Sequence, residues 1–246
     1  MTPRYSDIEK AKEYLRRRLA AEVQMEHFLD KALLRAAEEI VSLAYGYNTP
    51  PSLFSLNYDP VLSYEVDRIL RKLIDDIEEY NIKLALSTEK EDDEVLLPYI
   101  HREINGATYE ERIYTYTARF KTELQDFIIA GMLAGIGKGG LMEIISTSFK
   151  NPYKGTIISD REHHGASSHS RMLLLVRHTI ADTWMYADME YARKHGATGF
   201  ISYRGSNYPC QLCDDNANRF HTFAEPYPPY HPRCVCYAVP VFNKME

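Results

Sequence analysis

Thr198-Gly-Phe-Ile-Ser-Tyr203, then Cys210-Gln-Leu-Cys213, then His231-Pro-Arg-Cys234-Val-Cys236 running into Tyr237-Ala-Val-Pro-Val241, is the stretch from which the fold of this 246-residue chain is best read. The outer runs, Thr198 to Tyr203 and Val235 to Val241, are short and β-like, which predicts two antiparallel strands. Between them sit all four cysteines of the chain, with none in residues 1–209. Thiols used only as core packing would not cluster in this way. A CxxC turn aims two sulfurs at one point, and an extended Cys234-Val-Cys236 places both side chains on one face. His231 stands three residues before Cys234, on a backbone stiffened by Pro232. Cys210, Cys213, His231, Cys234 and Cys236 therefore supply five candidates for the four positions of a tetrahedral metal site. The expectation is a zinc-knuckle-like tail holding a structural Zn2+, with two disulfides or a set of free thiols as the open alternatives. Structural zinc contributes on the order of 10 kcal/mol of apparent folding free energy at neutral pH, enough to hold together a tail poor in aliphatic residues.

Upstream of the tail the pattern is helical. Leu173, Val176, Ile180, Trp184, Ala187 and Tyr191 recur at three and four, predicting a helix from Ser168 to Lys194 that stops before Gly196. Thr108 with Glu111 forms a capping-box signature opening a helix that carries Ile113, Phe120, Leu124, Phe127 and Ile128. A further helix spans Pro60 to Leu86, with Val66, Ile69, Leu70, Leu73 and Ile77 on one face. The first helix is long. It runs from a capping box at Ser6 and Glu9 to about Tyr45, with Leu15, Leu19, Phe28, Leu29, Ala32, Leu33, Ala36 and Ile40 as its stripe. Arg16, Arg17 and Arg18 read as a solvated turn of that helix. The fold class is thus mainly α with a small C-terminal antiparallel β-hairpin, an α+β chain.

Three other segments invite chemistry and fall short of it. Gly131 to Gly140 surrounds Lys138 with glycines, but Met132 stands where a phosphate-binding loop needs glycine and Gly139 where it needs Ser or Thr. A joint between helices, followed by a short helix from Leu141 to Phe149, is the better reading. Five carboxylates and one lysine over Glu89 to Glu94 read as an exposed connection. His163, His164 and His169 have no HExxH motif or carboxylate pair beside them, and read as surface-loop histidines.

Composition limits the function classes. The formal net charge of -6 provides no global basic field of the kind that drives tight binding to DNA or anionic lipid. The longest near-apolar run, Phe127 to Ile136, is broken by Gly131 and Gly135 and falls far short of the roughly 18 residues a membrane span needs. No leader pattern opens the sequence, so neither a secretion signal nor a membrane span is expected.

The order of these features resembles the phage Mu F-like, or phage head morphogenesis, family. The resemblance rests on the helix Arg171 to Arg193, the glycine after it, the strand Gly199 to Tyr203, Cys210-Gln-Leu-Cys213, the aromatic-rich loop, His231-Pro-Arg-Cys234-Val-Cys236 and the terminal Val-Pro-Val. Where the family usually carries an Arg-Thr-Glu-like motif on the helix, this chain has Arg177-His178-Thr179, keeping the base and lacking the acid. Asn218-Arg219-Phe220 stands in place of a short glycine-containing turn.

The resemblance implies a helical N-terminal region over 1–105 and a Mu F-like domain over 106–246. It implies a minor capsid protein of a tailed phage or prophage, located in the capsid interior or portal region of the virion and in the host cytoplasm during assembly. Its partners would be the portal protein and capsid or scaffolding proteins, with DNA a further candidate, and its role head assembly or DNA packaging and delivery. No enzymatic activity is expected. The alternative is a zinc-dependent nucleic-acid-binding protein or nuclease. A nuclease would use His221, Asp214 or Asp215 beside the metal, and a binding module would use Arg204, Arg219 and Arg233.

Overall fold

The computed structural model describes residues 4–47, 50–51, 54–57, 59–150 and 167–242, with the backbone alone at Lys150. The histidines at 163 and 164 lie outside the described residues. The chain is mainly helical with a small antiparallel sheet near its C-terminus. It divides into two compact units that interleave along the sequence: 1–25, 80–103 and 176–246 form one, and 26–79 with 104–175 form the other.

Helix α1 (Tyr5–Gly46) begins one residue before Ser6, so Ser6 lies in its first turn rather than at a cap. Arg4 instead pairs with Asp7 at 3.0 Å. The inward stripe holds Met25, Leu29, Leu33, Ala37, Ile40 and Ala44, all fully buried, and continues toward the N-terminus through Glu22 and Arg18. This corrects the reading of the arginine run as a solvated turn. Arg16 and Arg17 are exposed, but Arg18 falls in phase with the stripe and is 1% exposed.

Helix α2 (Pro60–Leu86) has the expected bounds, and its five predicted core residues are all buried. Asp59 caps it, accepting from the Val61 and Leu62 amides at 2.8 and 3.0 Å. Helix α3 (Asp93–Ile100) takes in the last two residues of the expected acidic connection. Asp93 and Glu94 sit in its first turn, where the free N–H groups attract carboxylates.

Helix α4 (Tyr109–Leu133) starts at the predicted capping box. The Glu111 amide donates to Thr108 Oγ1 at 3.3 Å, and Glu111 Oε2 accepts from the Thr108 amide at 2.7 Å. Gly135, at φ +68°, turns the chain into helix α5 (Lys138–Lys150). The glycine-rich segment is therefore a helix joint, and Lys138 is the first residue of α5. Helix α6 (Ser168–Lys194) ends before Gly196 at φ +85°, as its sequence predicts.

In the unit formed by 26–79 and 104–175, the Glu123 carboxylate accepts from the Ser168 amide at 3.0 Å and from its hydroxyl at 2.6 Å. His169 is no surface-loop residue there. It is 7% exposed, 2.7 Å from Asp30 Oδ1, and stacked on Phe149 at 5.3 Å.

In the other unit, Trp184 on α6 is buried and its indole N–H donates to the Leu84 carbonyl at 3.0 Å, the core role expected for the only tryptophan. Strand β1 (Ala197–Tyr203) follows, then the short helix α7 (Gln211–Asn216), β2 (Phe220–His221) and β3 (Tyr237–Phe242). The sheet order is β2-β1-β3, both pairings antiparallel. The expected two-strand hairpin thus has a third, two-residue strand on its other edge. Ile201 faces Val239 on one side and Phe220 on the other. Met185 and Met189 of α6 pack against Phe200 and Ala238, which fixes the sheet on the helix.

Candidate metal centre

The five residues singled out by spacing converge at the open end of this sheet. Cys210, Cys213 and His231 bring ligand atoms within 4.8 Å of one another, and so do Cys213, Cys234 and Cys236. Cys213 Sγ is common to both trios. It lies 3.1 Å from His231 Nε2 and 3.8 Å from Cys234 Sγ, while Cys210 Sγ lies 3.3 Å from the same imidazole nitrogen. All four cysteines are free thiols, so no disulfide accounts for the clustering. A cluster of this composition and spacing could hold a metal ion.

Local structure places each donor. Cys210 is the N-cap of α7, and the Asp214 amide donates to its carbonyl at 2.9 Å, so one helical turn separates the CxxC sulfurs. Arg204 clamps this turn by pairing with Asp214 and donating to the Tyr208 carbonyl. At the exit of α7 the Asn218 amide donates to the Ser202 carbonyl at 2.8 Å, tying the helix to β1. The second donor group sits on a tight turn in which the Cys234 amide donates to the His231 carbonyl at 3.0 Å. Pro232 takes the second position of that turn and Arg233 the third, at φ +66°. Cys234 and Cys236 are both buried and Val235 between them only partly, the alternation of extended backbone.

Hydrogen bonds and burial set the proton preference of each donor. His231 Nδ1 lies 2.8 Å from the Pro232 carbonyl oxygen, an acceptor only, so Nδ1 carries the proton and Nε2 presents its lone pair to the sulfurs. The same bond raises the His231 pKa above its ordinary range, against the opposing effect of burial. Cys234 is pulled down chiefly because the Cys236 thiol donates to it. That bond, with burial, pushes Cys236 up. Burial likewise raises Cys213, whereas the Cys213 amide at the start of α7 lowers Cys210.

Several contributors lie outside the sequence expectation. Gly205 approaches the chain so closely that a Cβ there would collide with the Val235 carbonyl, between the last two cysteines. Tyr230 packs against the buried thiols. Arg18 of α1 donates to the Cys234 carbonyl at 3.2 Å from full burial. The close-approach glycine has no signature beyond its turn-like neighbours, and the other two reach the site only through the tertiary fold.

The residues proposed for nuclease or nucleic-acid chemistry are placed differently. His221 is fully buried, stacked on Phe200 at 4.9 Å, with Nδ1 3.1 Å from Glu225 and Nε2 2.8 Å from the Asn216 carbonyl. Asp214 pairs with Arg204, and Asp215 accepts from Gln211 at 2.6 Å. Arg219 bonds Asn216 at 2.9 Å. Arg233 is exposed on the HPxC turn. Among the described residues no helix is long and apolar enough to cross a membrane. Comparison with known protein families, curated proteins and solved structures finds no match to the chain.

Proposed function

We propose that this chain is a minor capsid protein of a tailed phage or prophage, whose C-terminal module is clasped by one structural zinc ion. The carrying observation is the convergence of CxxC and HPxCxC at the end of a helix-plus-sheet module. Its chain order, α6, glycine, β1, CxxC, aromatic loop, HPxCxC, β3, resembles that of the Mu F-like family.

The donor set fits zinc. With Zn–S of about 2.3 Å and Zn–N of about 2.0 Å, a tetrahedron has S···S edges near ~3.8 Å and S···N edges near ~3.5 Å. The Cys213–Cys234 separation of 3.8 Å matches the first, and the 3.1 and 3.3 Å approaches to His231 lie a few tenths below the second. These edges run from Cys210 and Cys213 to His231 and from Cys213 to Cys234, and Cys236, whose sulfur lies within 4.8 Å of those of Cys213 and Cys234, competes for the same four positions. Four protein donors leave no position for a substrate or an attacking water, so the zinc is structural. When bound, it supplies a cross-link between α7 and the HPxC turn, which hydrogen bonds alone would hold weakly. The residues do the rest: Pro232 O orients His231, the α7 turn aims Cys210 and Cys213, and Gly205 lets the Cys234-Val-Cys236 backbone close in.

The assembly role follows from the resemblance and is supported by the partners of His221, Asp214 and Arg204, which occupy the groups a nuclease or DNA-binding module would need free. Portal and capsid or scaffolding proteins are the partners this reading assigns, in the capsid interior or portal region. Mass spectrometry of particles assembled by the genome encoding the chain tests it. A few copies per particle are expected; absence from both mature particles and their assembly precursors would refute the assignment.

A further inference from the structure

The sulfurs of the cysteine cluster lie close enough to react with one another as well as with an ion. Cys213 Sγ is 3.8 Å from Cys234 Sγ, and both residues are 4% exposed. The two come from the segments that an ion would bridge, α7 and the HPxC turn. Disulfide sulfurs stand about 2.05 Å apart, so closing this pair draws them together by roughly 1.8 Å. Cys210 Sγ lies within 4.8 Å of Cys213 Sγ, and Cys210 alone among the four cysteines is not buried. An oxidant arriving from solvent therefore meets Cys210 first, with Cys213 next to it and Cys234 beyond. Cys236 shares its chain segment with Cys234, so a bridge between those two would tie nothing across the cluster.

We propose that the cluster is an oxidation site in which Cys210 is the entry point for a peroxide and the Cys213–Cys234 disulfide is the product, a covalent bridge across the same two segments that zinc would join. This rests on the zinc reading above for what is displaced, but not for the arrangement of the sulfurs. The Cys210 sulfur attacks one oxygen of hydrogen peroxide, so that an S–O bond forms, the O–O bond breaks and the other oxygen leaves as water, giving a sulfenic acid. The Cys213 sulfur then attacks that of Cys210, an S–S bond replaces the S–O bond, and a second water leaves. Cys234 attacks Cys213 in turn, expelling the Cys210 thiol, which takes up the Cys234 proton. Two thiols and one peroxide thus become one disulfide and two waters, with two electrons passing from sulfur to oxygen. Where the sulfurs start as zinc thiolates, two hydroxides leave in place of the waters. The product retains Cys210, His231 and Cys236 as donors, short of the four that a closed zinc site takes, so the ion is released. On the assembly reading, the chain folds in a reducing cytoplasm and leaves the cell in a particle, where thiols oxidise. A site that closes by either route stays clasped in both settings.

Hydrogen peroxide added to the full chain, zinc-loaded and reduced metal-free in parallel, tests this. A chromophoric chelator reports released zinc, mass spectrometry under non-reducing conditions maps disulfides, and dimedone traps sulfenic acid. One zinc released per bridge formed, a bridge between Cys213 and Cys234, and early dimedone labelling at Cys210 are the expected results, with dithiothreitol and zinc restoring the loaded form. The oxidised chain should unfold at a higher midpoint than the reduced, metal-free one. Cys213→Ser should accumulate trapped Cys210 and form no bridge to Cys234. If that variant fails to fold, early labelling of the wild-type chain decides the entry point by itself. A final bridge between other cysteines, first labelling elsewhere than Cys210, or a midpoint unchanged by the bridge would overturn the proposal. A chain that binds no zinc yet closes Cys213–Cys234 upholds the oxidation site and overturns the zinc reading. A zinc-binding chain that never closes this bridge does the reverse, which distinguishes the two failures.

Discussion

His231 Nδ1 sits 2.8 Å from the carbonyl oxygen of Pro232, the residue that follows it, and this contact decides which nitrogen faces the thiols. The imidazole is held in one tautomer before any ion arrives, which lowers the ordering cost of ligation. His231→Ala is therefore expected to weaken zinc binding by more than the roughly 10- to 100-fold typical of outer-shell changes. His231→Cys should retain binding while shifting the thiolate-to-metal absorption of the cobalt-substituted protein. Chelator competition and the cobalt spectrum check both outcomes.

Arg233 occupies a left-handed backbone conformation at φ +66°, in the turn whose carbonyl and amide ends belong to His231 and Cys234. A side chain there costs about 1–2 kcal/mol relative to glycine, and a β-branched one more. Arg233→Gly is expected to keep the metal content and leave stability equal or slightly higher. Arg233→Val is expected to lower stability, because a β-branched side chain fits this backbone conformation less well than arginine does. Denaturant unfolding of the zinc-loaded forms compares them.

Gly205 admits no Cβ, because the Val235 carbonyl occupies that space. Gly205→Ala must push apart β1's exit and the Cys234-Val-Cys236 segment, and the effect belongs to the metal centre rather than to the helices. The expected result is loss of stoichiometric zinc with near-native helical circular dichroism. Retention of full zinc occupancy would contradict the close approach.

Glu225 sits below the usual carboxylate range, first because the Thr222 amide donates to it at 3.0 Å and then because His221 lies beside it. Its folded pKa is lower than its unfolded value of about 4.3. The stability it contributes is therefore complete above that value and is lost as pH falls through the folded pKa. Glu225→Gln is expected to cost stability at neutral pH and to flatten the acid limb of the stability profile. An acid limb identical to wild type would show that the carboxylate is not engaged.

Elements with local punctuation are legible in the sequence. The Thr108–Glu111 box, Pro60 and Gly196 each fix a boundary through a backbone group that must be capped or a φ that only some residues take. The metal candidates are legible for the same reason, since cysteine pairs at fixed spacing have few other uses. What escapes a sequence reading depends on partners distant along the chain. Strand β2 has two residues, too few for any alternation, and exists because β1 accepts them. Helix α3 begins with the last two of a run of acidic residues that resembles a solvated loop, although carboxylates also suit a helix start. Arg18 looks like one of three solvated arginines. Its phase with Glu22, Met25 and Leu29 is visible in the sequence, but its bond to the Cys234 carbonyl is not.

The most direct measurement is the metal content of the full chain, purified under reducing conditions without chelator, by elemental analysis against protein concentration. One zinc per chain, released together with a large fall in the unfolding midpoint when chelator is added, is the expected result. A chain free of metal, whose four thiols titrate fully and whose midpoint is indifferent to zinc and chelator alike, would contradict the zinc-clasp account.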